Sequence, residues 1–324
     1  MSIPTCNLPW TESPFFEREL AAANLSPEDK TFVKFYADNG YVIFDPKIDD
    51  ESIEAIKSEL AAAHEKYAAK NKKIHFSPHR IQDAWLFNEN VKKIVLAPTV
   101  LDKLKLLYRR RPIPFQTLNF DRGTQQCTHS DMIHFSSIPE RFMCGVWVAL
   151  EDVTDENGPL HYYPGSHKLP FYEMSDMGVK ASDSLKMKNG YMDYTDYYEK
   201  FIQDVVDSLG LEKKKLLIKK GQALIWSANL LHGGDTITRE NSTRHSQVSH
   251  YYFEDCTYYT PLFTDMLLKK IFLRKIIDIS TGELVPNKYF GEEVTGSTLS
   301  TIKGKVAKLM PKKMLSLYKA FRER

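Results

Sequence analysis

The sequence has 324 residues, 42% hydrophobic and 27% charged, which is ordinary globular composition and excludes disordered and fibrous proteins. Lys and Arg total 44 against 42 for Asp and Glu, so the charge balance predicts no nucleic-acid partner. The longest clear apolar run, residues 142–150, is shorter than the roughly 18 residues that a membrane span needs. The cysteines are dispersed and no signal-peptide pattern is visible, so we expect a cytoplasmic protein without a disulfide framework.

Helix signals dominate the first third of the chain. Ser26 and Pro27, followed by two acids, are typical of a helix N-terminus, and Asn39-Gly40 of its end. The short aromatic and branched segment Tyr41–Phe44 predicts a strand. Apolar periodicity predicts further helices over residues 49–71, 90–96 and 100–108, the last two separated at Pro98.

From residue 112 onward the pattern changes to short strand-like segments separated by turn residues. We expect strands over residues 115–120, 143–150, 160–163, 216–218, 223–226 and 247–253. Residues 171–211 interrupt them as a lid-like insertion with a helix around 197–209. Short strands without long intervening helices predict an α+β protein with a mainly β sandwich or barrel core, and helices from about residues 1–111 packed on it.

Residues 298–324 differ again, because eight basic side chains are opposed only by Glu323 while apolar residues recur at helical spacing. We treat this segment as a basic amphipathic helical tail beyond a domain of residues 1–297. One interpretation is a helical extension docked on the body with a solvated basic face. The alternative is a peripheral contact with an anionic membrane or a partner protein.

The candidate chemical site combines His129-Ser130-Asp131 with His232, which precedes two glycines. On a strand, residues i and i+2 point to the same face, so His129 and Asp131 could converge on one point. Two imidazoles and one carboxylate suit ferrous iron and leave coordination positions open. A His-x-Asp sequence alone is weak evidence, since a locally hydrogen-bonded histidine is the common alternative. Its position between strand-like segments favours the metal interpretation.

Three further segments resemble the phytanoyl-CoA dioxygenase family. They are GVWVALED at residues 145–152, ENGPL at 156–160 and PGSH at 164–167, and the order from His129 through these segments to Arg244 matches the family. With the entry segment at residues 38–43, the resemblance covers roughly residues 30–255. It implies a double-stranded β-helix, the cupin-like jelly roll, and an iron(II)- and 2-oxoglutarate-dependent dioxygenase that uses O₂.

Applied to this sequence, the resemblance implies particular residue roles. His129, Asp131 and His232 would bind iron, and Arg244 would pair with the distal carboxylate of 2-oxoglutarate. Trp147, Leu118 and Arg80 would line the cosubstrate pocket. The spacing from His232 to Arg244 is about one residue longer than the family pattern, which leaves Arg239 as a competitor for the carboxylate. The retained Asp131 favours hydroxylation over halogenation.

The implied activity is hydroxylation of an unactivated C–H bond in a small organic substrate, with release of succinate and CO₂. Two alternatives remain from the sequence. A cupin-type metalloenzyme without 2-oxoglutarate could share the fold and ligands, although Arg244 argues against it. A non-catalytic binding protein would depend on the basic tail. Substrate identity and oligomeric state are not specified by these patterns.

Overall fold

The structure is a computed structural model that describes residues 6–70, 80–184 and 193–294. Its α-helices are α1 (Phe16–Ala22), α2 (Pro27–Asn39), α3 (Asp50–Lys70), α4 (Glu89–Val95), α5 (Pro98–Tyr108), α6 (Ala181–Ser184) and α7 (Lys200–Leu209). Its strands are β1 (Tyr41–Phe44), β2 (Arg80–Gln82), β3 (Pro112–Phe120), β4 (Ser136–Ile138), β5 (Met143–Ala149), β6 (Leu160–Tyr162), β7 (Lys214–Lys215), β8 (Ala223–Ser227), β9 (His232–Gly234), β10 (Ser246–Phe253), β11 (Thr257–Tyr259), β12 (Ile276–Ile277), β13 (Leu284–Val285), β14 (Lys288–Tyr289) and β15 (Glu292–Glu293).

Local chemistry explains where the predicted helices begin and end. The Ser26 hydroxyl accepts a hydrogen bond from the Asp29 N–H at 3.0 Å, and Pro27 is the first residue of α2. Gly40 ends α2 with φ of 78°, a conformation that favours glycine. Pro98 begins α5, where its missing N–H costs no helical hydrogen bond.

The main sheet is antiparallel with the strand order β1-β8-β5-β10-β3-β2, and its two faces bury different groups. Successive side chains on a strand point to opposite faces. In β5, Val146 and Val148 pack in the apolar cluster that also contains residues of α2, α3, α4 and α5. Trp147 and Ala149 pack on the other face with Leu160. The predicted N-terminal helices therefore lie on one face of the sheet, and the other face is left for a second layer.

The second layer contains the sheet β7-β6-β9, and β11-β4 forms a separate two-stranded sheet. Leu160 of β6 and Leu230, just before β9, lie in the same cluster as Trp147 and Val248 of the main sheet. The two layers form the predicted jelly roll with a mainly β core.

Residues 216–218 do not form the predicted strand. The paired residues are the exposed Lys214–Lys215, whereas Leu216 and Ile218 are buried without a strand ladder. The Leu216 N–H donates to the Leu160 carbonyl, and the Ile218 carbonyl accepts from Val153. These apolar side chains are buried from an irregular segment. A short apolar run in the sequence does not distinguish such a segment from a strand.

The insertion is helical where the structure describes it. A 3₁₀ turn at Met174–Met177 precedes α6, and a π-helical segment at Tyr194–Glu199 continues directly into α7. The predicted helix around residues 197–209 is confirmed. The predicted tail at residues 298–324 lies outside the described residues. No helix in the described part of the chain is long and apolar enough to span a bilayer.

The N-cap of α2 gives a stability prediction. Ser26→Ala removes the acceptor for the Asp29 N–H and should lower the free energy of unfolding by about 1 kcal/mol. Ser58→Ala, within α3, is the matched control, because alanine is favoured inside an exposed helix. Chemical denaturation of both variants tests this, and equal effects of the two substitutions would contradict the assigned cap.

Candidate active site

A short backbone bridge brings the two histidines of the candidate site together. The His129 N–H donates to the His232 carbonyl at 2.9 Å, and the His232 N–H donates back at 3.0 Å. This antiparallel pair joins the segment after β3 to β9. Residues directly opposite in an antiparallel pair have neighbouring side chains, and the two imidazole centroids lie 4.5 Å apart.

Asp131 reaches the histidines by a different route from the one predicted. The expectation that His129 and Asp131 share one strand face is wrong, because Asp131 begins a 3₁₀ turn that ends at Ile133. The Ser130 hydroxyl accepts from the Met132 N–H and stabilises that turn. Asp131 Oδ1 lies 3.7 Å from His129 Nε2, and Oδ2 lies 3.8 Å from His232 Nε2.

These three buried residues form a group of ligand atoms that lie within 4.8 Å of one another. The Nδ1 atoms of both histidines are 2.9 Å from backbone carbonyls, those of Cys127 and Leu230. Each Nδ1–H therefore donates to a carbonyl, which leaves the Nε2 lone pair directed at the shared point. Burial lowers the pKa of His129 to about 4 and also lowers that of His232. Both imidazoles are neutral at pH 7, the form that binds a metal.

The main sheet holds the remaining oxygen of Asp131. Trp226 Nε1 donates to Oδ2 at 2.9 Å, and His250 Nε2 lies 3.7 Å from the same atom. Burial by itself disfavours the carboxylate, but the neighbouring His232, His250 and His129 hold the pKa of Asp131 below its usual value. Asp131 is therefore ionised, with both oxygens oriented by its surroundings.

His250 was not singled out from the sequence as part of the site. It lies in β10, two residues after Val248, and its Nδ1 is 3.0 Å from Gln116 Oε1. Val248 is directly opposite Leu118 on one side and Trp147 on the other. Because alternate residues share a face, the predicted pocket positions of Leu118 and Trp147 could have identified His250 as an inward-facing side chain.

Arg244 is a buried guanidinium near Trp147. It is 2% exposed, its Cζ lies 5.5 Å from the Trp147 ring centroid, and Nη1 donates to the Gly158 carbonyl at 2.9 Å. Its Nε has no hydrogen-bond partner within the described ranges, and the nearby acid that acts on its charge is Glu151. Burial lowers the pKa of Arg244 to about 10, so the group remains charged at pH 7. Arg239, by contrast, is exposed and 3.6 Å from Glu156.

One cavity of about 370 Å³ contains all the predicted site residues. Its walls include the three candidate ligands together with Arg244, Trp147, Leu118 and Arg80. Asp131 is its single acidic lining residue in the part of the chain that the structure describes. The donor set fits ferrous iron, and the unpaired Arg244 fits a carboxylate of a bound acid. The residues present therefore match an iron centre with 2-oxoglutarate.

Known proteins resemble this chain in sequence and in fold. A model of the phytanoyl-CoA dioxygenase (PhyH) family matches residues 36–246. The chain belongs to the phytanoyl-CoA dioxygenase family. Membership confirms the predicted class, an iron(II)- and 2-oxoglutarate-dependent oxygenase that uses O₂.

Two curated relatives are distant in sequence. The peroxisomal phytanoyl-CoA dioxygenase of Rattus norvegicus is 22% identical over 255 residues, which cover 69% of this chain and 68% of that protein. Phytanoyl-CoA dioxygenase domain-containing protein 1 of Danio rerio is 26% identical over 174 residues, covering 52% of this chain and 55% of that protein.

Two solved structures share the fold. The non-heme alpha ketoglutarate dependent carbocyclase SnoK from nogalamycin biosynthesis superposes with a TM-score of 0.53 at 17% identity, covering 85% of this chain and 95% of that one. EctD from S. alaskensis with bound Fe gives a TM-score of 0.54 at 16% identity, with coverage of 74% and 81%. At this level of identity the comparison establishes the jelly roll.

Gly145 tests the contact that holds Asp131. It lies directly opposite Trp226, and an added Cβ would overlap the indole ring. We expect Gly145→Ala to displace the indole from Asp131, to destabilise the fold by about 1–3 kcal/mol and to weaken iron(II) binding about tenfold or more.

The matched control for Gly145→Ala is Val146→Ala, on the opposite face of β5. It should lower stability through lost packing while leaving iron affinity unchanged. Anaerobic iron titration and thermal unfolding measure the two effects separately. Unaltered iron binding in a folded Gly145→Ala protein would show that the indole contact does not orient Asp131.

Proposed function

We propose that this enzyme hydroxylates an unactivated C–H bond of a small organic substrate. The balanced reaction takes the substrate, 2-oxoglutarate and O₂ to the alcohol, succinate and CO₂. The observation that carries the proposal is one cavity that contains three convergent metal ligands and a buried, unpaired Arg244. A 2-oxoglutarate-independent metalloenzyme of this fold would need such a cation only for an anionic substrate of its own.

Each side chain has a defined task in this proposal. His129, Asp131 and His232 bind iron from one side and leave positions for the cosubstrate and oxygen. When bound, the iron supplies the oxygen activation that the protein's own side chains cannot. Arg244 pairs with the distal carboxylate of 2-oxoglutarate, and Trp147, Leu118 and Arg80 contact the cosubstrate. The apolar pocket walls exclude water and so strengthen the ionic contacts.

Enzymes that share this fold differ in the reaction they perform on their substrate. Structures that share the fold include a carbocyclase and an epimerase. In this chain the carboxylate of Asp131 is present as a third protein ligand. It would fill the coordination position on iron that a halide would otherwise take. We therefore propose hydroxylation, and we propose that the insertion at residues 171–211 forms part of the substrate pocket.

The assay for this proposal measures binding first and turnover second. Iron(II) and 2-oxoglutarate binding are measured without oxygen, and succinate release is then followed across a panel of small molecules. Hydroxylation predicts one succinate for each product that has gained one oxygen atom. Stoichiometric turnover to products that have gained no oxygen would replace hydroxylation with another oxidation.

The metal ligands give the first functional prediction. His129→Ala or Asp131→Ala should abolish 2-oxoglutarate turnover, because each removes one of three ligand side chains. Circular dichroism should show that both variants remain folded. Turnover that persists at the wild-type rate in either folded variant would contradict the assignment of these residues to iron.

Arg244 gives the second functional prediction. Arg244→Ala should raise the 2-oxoglutarate concentration required for half-maximal turnover about 10- to 100-fold, because a charge-assisted contact of about 1.5–3 kcal/mol is lost. Arg239→Ala is the control variant, since the sequence left this exposed residue as the alternative to Arg244 for pairing with the carboxylate. If only Arg239→Ala raised the required 2-oxoglutarate concentration, Arg239 and not Arg244 would be the residue that pairs with the distal carboxylate.

A further inference from the structure

A third arginine, besides Arg244 and Arg80, lines the same cavity on a segment that the cosubstrate role does not use. Arg274 lies between β11 and β12, beyond the end of the family match at residue 246. Its N–H donates to the Tyr258 carbonyl at 2.8 Å, and its own carbonyl accepts from Asn287 at 3.0 Å. Both backbone polar groups of Arg274 are therefore hydrogen-bonded, which fixes the point from which its side chain lines the cavity.

The guanidinium of Arg274 is oriented by aromatic rings and by neutral oxygens. Its Cζ lies 4.6 Å from the Phe135 ring centroid and 5.7 Å from that of Phe115. Nη1 donates to Thr260 Oγ1 at 3.0 Å and approaches the His134 carbonyl at 3.4 Å. These contacts fix the orientation of the Arg274 guanidinium, and none of them neutralises its positive charge.

Arg274 shares with Arg244 the feature that identified a carboxylate site. Its Nε is buried without a hydrogen-bond partner among the described residues, and the hydrogen bonds of its Nη1 go to neutral oxygens. A buried donor without a partner is costly unless a ligand satisfies it. Two cavity arginines therefore each have a donor available for an anion.

Contacts connect Arg274 to the iron site through a wall distinct from that of Arg244. Phe135, which contacts Arg274, has its ring centroid 5.0 Å from that of His250. His250 in turn lies 3.7 Å from Asp131. Arg244 instead lies beside Trp147. The two guanidinium groups thus approach the metal ligands from different parts of the cavity wall.

The charges in the loaded site leave room for a further anion. Iron(II) and the 2-oxoglutarate dianion carry equal and opposite formal charges, while the described cavity lining holds three arginines, Arg80, Arg244 and Arg274, against the single carboxylate of Asp131. Because Arg80 and Arg244 are assigned to the cosubstrate, Arg274 is left for the additional anion. Phe135 contacts Arg274, and Phe263 and Phe272 also line the cavity. A ligand that fits this environment has an apolar body and one anionic group.

We infer that Arg274 binds the anionic group of the substrate, a carboxylate or a phosphate monoester, and positions an adjacent C–H bond at the iron. This inference rests on the proposed function and names its substrate class. Arg274 is a specificity-determining residue on this account, and its loss should impair recognition of acids while leaving the binding of iron and 2-oxoglutarate intact.

The experiment uses the full chain loaded anaerobically with iron(II) and 2-oxoglutarate. Calorimetry measures the binding of phenylacetate, 3-phenylpropionate and hexanoate against their primary amides, and of phenyl phosphate against phenol. We expect at least one acid to bind better than its neutral partner. Arg274→Gln should weaken that binding about 10- to 100-fold, and Arg274→Lys should restore part of it. Which acid binds distinguishes a carboxylate ligand from a phosphate ester.

Lys275→Gln is the matched control, because it removes a positive charge from an exposed neighbouring side chain. It should leave acid binding unchanged. Neutral partners that bind as well as the acids, an Arg274→Gln protein that retains acid affinity, or a loaded wild-type protein that binds none of the acids would each overturn the inference.

Iron and 2-oxoglutarate affinities of the same variants separate this result from the proposed function. If Arg274→Gln keeps both affinities and loses the acid, the inference is supported. If wild-type protein fails to bind 2-oxoglutarate, the proposed function fails. If Arg274→Gln loses 2-oxoglutarate, Arg274 belongs to the cosubstrate site and the inference is wrong. A thermal melt of Arg274→Gln confirms that the variant tested is folded.

Discussion

The pair of backbone hydrogen bonds between His129 and His232 is the constraint on which the site depends. More than a hundred residues of chain separate the two histidines, and closing such a loop has an entropic cost that the rest of the fold must offset. Once the bridge is formed, the separation of the imidazoles is set by strand geometry rather than by side-chain flexibility. Asp131 then needs only one 3₁₀ turn to bring its carboxylate to both Nε2 atoms.

The main sheet supports that bridge through a row of side chains across its strands. Gln116, His250, Gly145 and Trp226 occupy successive opposed positions in β3, β10, β5 and β8. Gly145 has no side chain, which leaves space for the indole of Trp226 over the sheet. The indole N–H can then reach Asp131, and His250 approaches the same oxygen. Sheet register thus determines the orientation of Asp131, the proposed metal ligand.

Periodicity in the sequence was sufficient to predict α2, α3, α4, α5 and α7 and the longer strands β1, β3, β5, β8 and β10 together with β6, but it did not predict α1, α6 or the remaining short strands. It was insufficient at Asp131 and at residues 216–218, for the same reason. Residues 216–218 are apolar like a strand interior, and His129 and Asp131 have the spacing of one strand face, yet the backbone hydrogen bonds of both segments go to turns or to isolated partners. Local composition reports which side chains become buried, while the backbone path depends on tertiary contacts such as the Ser130 cap.

Of the two cavity arginines discussed above, the sequence indicated Arg244 but not Arg274. The family resemblance indicated Arg244, and strand parity supports it, since residues 244, 246, 248 and 250 alternate onto the inner face that Val248 and His250 occupy. No comparable pattern identifies Arg274. It follows β11 in an irregular segment, and only the tertiary fold brings it beside Phe135. Of the residues proposed to contact the cosubstrate, Arg80, Leu118 and Trp147 lie on strands and Arg244 lies two residues before β10, whereas Arg274 lies on an irregular segment between β11 and β12. A jelly roll built this way can change its substrate by altering peripheral segments while the iron site and the cosubstrate pocket stay fixed.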